Sequence, residues 1–437
     1  MRSIRMSVVL TILALTTGVR AGDERPYLDI DDPNFRAYPL AVPDFKDLGA
    51  GSGADLARTA VETLRSDLGI AGVFKLLDPR SFLTKPEEEG LTGSSINFAN
   101  WINVGAEGLI KVGLLKTGTE VTLDCHLFDV ATGKERLHEK ISGDAKAIRA
   151  LTHRWADAVV RSFTNTRSVF STRIVFTKRR GKSKSICLMD FDGHNERCVV
   201  ENGSINLLPA WSADGKGIYY SSYIKGGPHL YLHDLESGKS RVISQARGLN
   251  IGVSASPDGK YIAMTSSRDD NSEIYRLTPN GSAATRLTRS WSIDSSPAWS
   301  PDSTRIAFVS ERSGTPQIYV MKIDGSDVKR LTFQGNYNQT PDWSPRGDQI
   351  LFNARDERLV YDIFKINPDT GEIRRLTQDQ GNNEHPSFSP DGNLVVFSST
   401  RTGEAKLYLM NADGTNQRLI SRGKGEYTTP EWGPWSD

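Results

Sequence analysis

Several groups of residues in this 437-residue chain have the types and spacing to do chemistry. Gly49-Ala50-Gly51-Ser52-Gly53-Ala54 carries the G-x-G-x-x-A pattern, which cradles a pyrophosphate when it joins a strand to a helix. Only one strand–helix–strand unit fits there. Its first strand would be Ala41-Val42-Pro43-Asp44-Phe45, and a central strand tolerates proline poorly. The expected reading is a flexible loop into a helix, with Ser52 and Asp55 at the spacing of a capping box. His229 and His233 stand at i, i+4, which suits zinc on a helix but separates two residues of a strand by about 13 Å. Cys187 and Cys198 lie symmetrically about Asp192-Gly193, so a tight hairpin would set them opposite each other. Disulfide or free thiols both stay open, because facing strands do not always give the bridging geometry. Cys125, on the apolar side of Val121, Leu123 and Leu127, is expected to be a buried free thiol. The chain has no G-x-S-x-G and no H-E-x-x-H, the signatures of serine and zinc hydrolases.

The second half of the chain repeats. A P-x-W-S-P-D-G motif places its proline position at Pro209, Val253, Pro297, Pro341, Pro386 and Pro430, a period of 44 or 45 residues. Such a period means a propeller or a solenoid. Within one period, Pro297-Ala298-Trp299-Ser300, Arg305–Ser310, Ile318–Met321 and Arg330-Leu331-Thr332 read as four short strands separated by turn residues. That is a propeller blade. The Ser-Pro-Asp-Gly stretch is explained by turn formation alone. The block at 172–200 lacks a first strand, and Thr429-Pro430-Glu431-Trp432 is a first strand without a block. The two complete each other, so six blades close as a ring and no sheet edge is left open. The recurring Trp and Phe are expected between blades.

A ring of polar residues follows from the same repeat. Three residues before each proline position stand Asn206, Asn250, Asp294, Asn338, Asn383 and Tyr427, expected around one mouth of the channel. Ser295, Gln339, Glu384 and His385 beside them are also polar. Turn formation explains Asn and Asp locally, and a mouth lined this way can also dock a partner by many hydrogen bonds. Side-chain oxygens there would also suit calcium. Arg268, Arg312, Arg355 and Arg401, in loops reaching the same face, form a possible basic outer ring.

The elements before the propeller follow another pattern. Arg2 and Arg5, an apolar run from Met6 to Thr17, and Val19-Arg20-Ala21 make residues 1–21 a secretory signal, too short to span a bilayer. Its removal shifts the net charge from +1 to −2, so nothing points to nucleic acid. Residues 22–38 form an N-terminal segment, expected to be mobile, in which Gly22 to Pro33 hold five acids against one base. Residues 39–164 read as an α/β domain. Leu56, Ala60, Val61, Leu64 and Leu68 mark a helix ended by Gly69, and Val73–Leu77 marks a strand. Leu109–Leu115 and Val121–Val130 flank a hairpin turn, and Ala147 to Phe163 mark a second helix. The propeller takes residues 165–437.

An export signal, a small α/β domain and six P-x-W-S-P-D-G blades together resemble the TolB family of the Tol–Pal system. Phe170-Ser171-Thr172-Arg173-Ile174 and Phe191-Asp192-Gly193-His194-Asn195 resemble the family's stretches at those places. The resemblance implies a non-enzymatic periplasmic hub, a monomer with no inserted membrane segment and no cofactor, that supports envelope integrity and outer-membrane constriction at division. It implies binding of the Pal lipoprotein at the propeller mouth, here Asn206, Asn250, Asp294, Ser295, Asn338, Gln339, Asn383, Glu384 and His385. It also implies binding of TolA through the N-terminal segment, here Tyr27, Leu28, Asp29 and Ile30. Pro26 departs from the strand-like pattern this segment needs. The competing class is an exported propeller enzyme, peptidase-like or carbohydrate-active, which would need an acid and a base paired in the channel.

Overall fold

The computed structural model describes residues 36–49, 53–85, 88–355 and 357–435. The expected signal, the stretch holding Tyr27, Leu28, Asp29 and Ile30, and Ser52 lie outside the described residues. Strand β1 (Tyr38–Ala41) stands three residues earlier than the sequence pattern placed it and ends before Pro43. It is followed by β2 (Lys46–Asp47), α1 (Ala54–Ile70), β3 (Phe74–Leu76), α2 (Phe98–Asn103), β4 (Gly108–Thr117), β5 (Glu120–Asp129), β6 (Glu135–Asp144) and α3 (Ile148–Thr164). The sheet order is β3-β1-β4-β5-β6, with β2 beside β4. β1 runs parallel to β3 and β4, while β4, β5 and β6 form an antiparallel meander.

Helical spacing puts Ala57, Ala60, Val61, Leu64 and Leu68 of α1, and Trp155, Val159 and Phe163 of α3, into one core with Leu123, Cys125 and Leu127 of β5. Gly69 does not end α1. It lies in the last turn, and the chain reverses at Gly72, whose φ of 72° suits a residue without a side chain. Cys125 is a buried free thiol, and burial, with the charges of Asp124 and Glu139, raises its pKa. No helix among the described residues is long and apolar enough to cross a membrane.

Residues 173–432 form six four-stranded antiparallel sheets. Blade 1 comprises β7 (Arg173–Arg180), β8 (Ser183–Asp190) and β9 (Arg197–Val200), and takes its first strand from Glu426–Trp432. Trp432 stands opposite Ile174 and Thr428 opposite Thr177, so the chain's own end closes the ring. Blades 2 to 6 begin with Asn206–Trp211, Asn250–Ala255, Asp294–Trp299, Asn338–Trp343 and Asn383–Phe388. Cys187 and Cys198 face each other on β8 and β9 and form a disulfide.

The motif aromatics pack between blades. Trp211 joins the blade 1 residues Val175 and Ile186, and Trp343 joins the blade 4 residues Ala307 and Ile318. At the opposite end of each first strand, the turn satisfies itself. In blade 4, Arg305 N–H donates to Ser300 Oγ at 2.9 Å, and Thr304 N–H donates to Asp302 at 3.1 Å. The α/β region meets this turn end. Arg149 of α3 donates to Asp192 in the β8–β9 turn, and His153 Nδ1 lies 2.7 Å from Asp67 Oδ2. Burial pushes Asp67 up to about 6. Burial alone would lower His153, but the bond to Asp67 and the charges of Asp67 and Asp192 raise it.

Candidate functional site: the propeller mouth and channel

Each first strand breaks its ladder once, near its middle. Leu208, Gly252, Ser296, Thr340, His385 and Thr429 sit there with φ between 48° and 60°. Five of the six carry side chains in a left-handed conformation, which costs on the order of 1 kcal/mol each and persists only where paired strands impose it. The bulges line a central cavity of about 190 Å³, together with the prolines of the motif and the residues after them.

Those following residues link the blades. Phe388 N–H donates to Asp342 Oδ2 at 2.7 Å, Trp211 N–H to Glu431 Oε1 at 2.9 Å, and Trp432 N–H to Ser387 Oγ at 3.1 Å. Asp342, His385 and Glu431 are partly buried and line the central cavity. Burial pushes Asp342 up to about 7 against the Phe388 N–H. It pushes Glu431 up to about 8 against the Trp211 N–H, with the Asp342 charge adding to the rise. It pushes His385 down to about 4. The sequence pattern did not single out Asp342 and Glu431. Their signal was two acids at a motif position that elsewhere holds Ala or Ser.

The polar ring is present, but its side chains turn away from the mouth. Asn206, Asn250, Asp294, Asn338, Asn383 and Tyr427 are all 0 or 1% exposed. Asn250 Nδ2 donates to Ala246 O at 2.7 Å, and Asn338 Nδ2 donates to Gln317 Oε1 at 2.8 Å. The arginines are not an outer ring either. Arg312 reaches Asp294 Oδ2 at 2.8 Å and Arg401 reaches Asn383 Oδ1 at 2.9 Å, each 18 residues along the chain. Arg268 donates to Ser244, which holds Asn250. Arg355, 17 residues after Asn338, stacks on Tyr337 instead, so the 18-residue interval shared by the other three arginines was the unread sequence signal. Neighbouring donors occupy Asp294 Oδ2, Asn383 Oδ1 and Asn250 Oδ1, while Asp294 Oδ1 is buried without a hydrogen-bond partner. Of the expected mouth residues, Ser295, Gln339, Glu384 and His385 retain surface.

What the mouth does present is apolar. Strand direction puts the loops before each first strand and those between second and third strands at this end. They carry Ile205, Tyr223, Ile224, Trp291, Ile293, Phe333 and Leu359, all exposed, with Trp291 at 82% and Phe333 at 72%. Sequence reading missed them because they fall outside the repeat.

The other candidates resolve against ligand binding. At the glycine-rich loop, the Asp47 carboxylate accepts from Gly49 N–H at 2.8 Å and Gly53 N–H at 3.0 Å. It stands where a phosphate would. The helix begins at Ala54 with Gly53 at its N-cap, and Ser52 of the expected capping box lies outside the described residues. His229 and His233 lie along one strand, and His233 Nδ1 bonds Ser240.

A six-bladed ring with exposed apolar side chains and a polar channel at one end and an α/β domain at the other defines a β-propeller protein with an appended α/β domain. Residues 160–436 match the TolB beta propeller domain and residues 26–136 the TolB amino-terminal domain. The chain belongs to the TolB family. It is 42% identical over 232 residues to the Tol-Pal system protein TolB of Anaeromyxobacter dehalogenans strain 2CP-1, covering 53% of each chain. It is 44% identical over 226 residues to that of Myxococcus xanthus, covering 51% of each. The chain thus spans about half the length of the curated relatives it matches. The crystal structure of TolB from Acinetobacter baumannii superposes with a TM-score of 0.79 at 28% identity, covering 92% of this chain and 97% of that one.

Proposed function

We propose that this protein is a non-enzymatic, periplasmic docking hub of a Tol–Pal system that holds the Pal lipoprotein at the propeller mouth. The observation that carries the reading is the set of seven large apolar side chains exposed at that end, around a polar channel. Apolar anchors with a polar, water-excluding surround are the usual makeup of a protein-binding hot spot. Ser295, Gln339, Glu384 and His385 supply polar groups at the channel entrance, inside the apolar ring. The buried Asn, Asp and Arg set the loop positions and contribute indirectly. The N-terminal segment, with Tyr27, Leu28, Asp29 and Ile30, is the second docking site, for TolA, by strand addition. Coupling the two partners supports envelope integrity and constriction at division.

Calorimetry with the soluble part of Pal tests the first site. Replacing Trp291 and Phe333 together by Ala is expected to weaken binding by at least ~30-fold, since exposed aromatic anchors cost ~2 kcal/mol or more. The melting midpoint should not move. Unchanged affinity would place the contact elsewhere. For the second site, deletion of Asp23 to Pro33 is expected to abolish TolA binding, and retained binding would exclude that segment.

A further inference from the structure

The sheet of the α/β region has a second face, turned away from α1 and α3. With period 2 along β5, Leu123, Cys125 and Leu127 enter the core, so Asp124 and His126 point to this other side. β6 places His138 directly opposite His126. His126 is 4% exposed, and its Nε2 is buried without a hydrogen-bond partner. A buried imidazole nitrogen with nothing to bond is costly. Its other nitrogen, Nδ1, lies 2.5 Å from Glu135 Oε1. That contact orients the ring and fixes Nε2 toward Asp124 Oδ1, 3.3 Å away. His138 Nε2 lies 2.7 Å from the same oxygen.

We propose that Asp124, His126 and His138 form a site for a divalent transition-metal ion, zinc by ligand type, with Glu135 as the carboxylate that orients His126. Two imidazoles and a carboxylate suit zinc, with bonds of about 2.0–2.1 Å and tetrahedral geometry. Such bonds put neighbouring ligand atoms about 3.3 Å apart. The His126–Asp124 pair already has that spacing, and the three ligand atoms lie within 4.8 Å of one another. A carboxylate on the far nitrogen of a metal-bound histidine is the common supporting arrangement. Binding requires one adjustment. The two imidazoles stack, with centroids 4.2 Å apart and planes 9° apart, so His138 must turn out of the stack. Its side chain is 40% exposed and has room to do so. Lys140 holds the other Asp124 oxygen at 3.4 Å, leaving Oδ1 for the ion. The fourth position opens to solvent and takes water. The ion would clip β5 to β6.

The other cluster of this kind among the described residues, Asp67, His153 and Asp192, is wholly buried and already contains Arg149. It serves as the internal control. Zinc is titrated by calorimetry into untagged, metal-stripped full-length protein near neutral pH. One ion per chain is expected, with a Kd on the order of 1 µM or tighter. His138→Gln should weaken binding at least ~100-fold and Glu135→Gln by ~10–100-fold. Zinc should raise the melting midpoint of the unmodified protein and not that of His138→Gln. Asp124→Asn repeats the test should the histidine variant misfold. A Kd weaker than ~100 µM, wild-type affinity in both ligand variants, or loss of binding only in His153→Gln overturns the site.

Discussion

The two ends of the propeller blades spend the same kinds of polar residue differently. At the mouth end, Asp362 in blade 5 is fully buried. It accepts from Thr377 at 2.7 Å, from Asn383 of blade 6 at 3.0 Å, and from Arg375. Glu273 does the same with Arg286, Thr288 and Ser290 N–H. At the turn end, Asp302 is exposed and serves only Ser300 and Thr304, two residues away on either side. One arrangement couples strands and blades, and the other shapes a single hairpin. The mouth is therefore a frame tied together across strands and blades, with large apolar side chains exposed on its loops.

This distinction rests on a closed ring, because interblade bonds count fully only when every interface is made. Deleting Thr429 to Asp437 should therefore have the largest effect. It removes Trp432, whose indole N–H donates to Thr172 at 2.8 Å, and strips most of the first strand from blade 1. Burying Trp432 alone is worth ~3–5 kcal/mol. The truncated protein should aggregate or melt far below the full chain, and an unchanged midpoint would break the closure.

Asp362→Ala comes next. It removes the acceptor of the buried Thr377 and Asn383 and of the partly exposed Arg375, which should cost ~2–3 kcal/mol. Urea unfolding should show it. A loss below about 1 kcal/mol would erase the difference between the two ends.

The channel carboxyls give an intermediate, pH-dependent effect. Burial raises Asp342 to about 7 and Glu431 to about 8. A raised carboxyl contributes stability that is fully present below its unfolded value near 4 and is lost as pH rises through the folded value. His385, lowered to about 4, acts in the opposite sense below about pH 6.5, so the clean window lies above it. Asp342→Asn with Glu431→Gln keeps an oxygen for each blade-linking N–H and removes the titration. Between pH 6.5 and 8.5 the wild type should lose melting temperature relative to this variant by a few degrees, about 1 kcal/mol or more. Parallel profiles would show that the channel does not perturb these groups.

The blade count and the closure were legible because both are written in a 44-residue repeat and in strand-length runs. The α/β region was less so. β6 carries few apolar residues besides Leu137 and Ile141, so its strand pattern is faint until β5 supplies a partner. The mouth ring misled for a physical reason. Asn and Asp at a strand entrance are polar by type, yet a propeller packs its blades so closely there that they become interblade bonds. Only Arg268, Arg312 and Arg401, each 18 residues later, betray it. The exposed aromatics at Trp291 and Phe333 follow no period and were invisible as a surface.

The smallest effect is expected at the turn end, and its pH dependence has the opposite sign to that of the channel. Asp302→Ala removes an acceptor from Ser300 Oγ–H, Thr304 N–H and Thr304 Oγ–H, all at an exposed turn. Water can replace those partners, so the cost should be about 1 kcal/mol. Burial alone would raise Asp302, but the hydrogen bonds from Ser300 and Thr304 and the nearby Arg305 charge hold it below its ordinary value. A lowered carboxyl contributes stability that is present above its unfolded value near 3.9 and is lost as pH falls through the folded value. The deficit of Asp302→Ala against wild type should therefore hold from pH 8 to about pH 5 and shrink as the solution is taken toward pH 3. Urea midpoints of both proteins across that range would read it. A deficit that instead shrank as the pH rose would mean that turn and channel carboxyls share one environment, and the division between the two ends would fail.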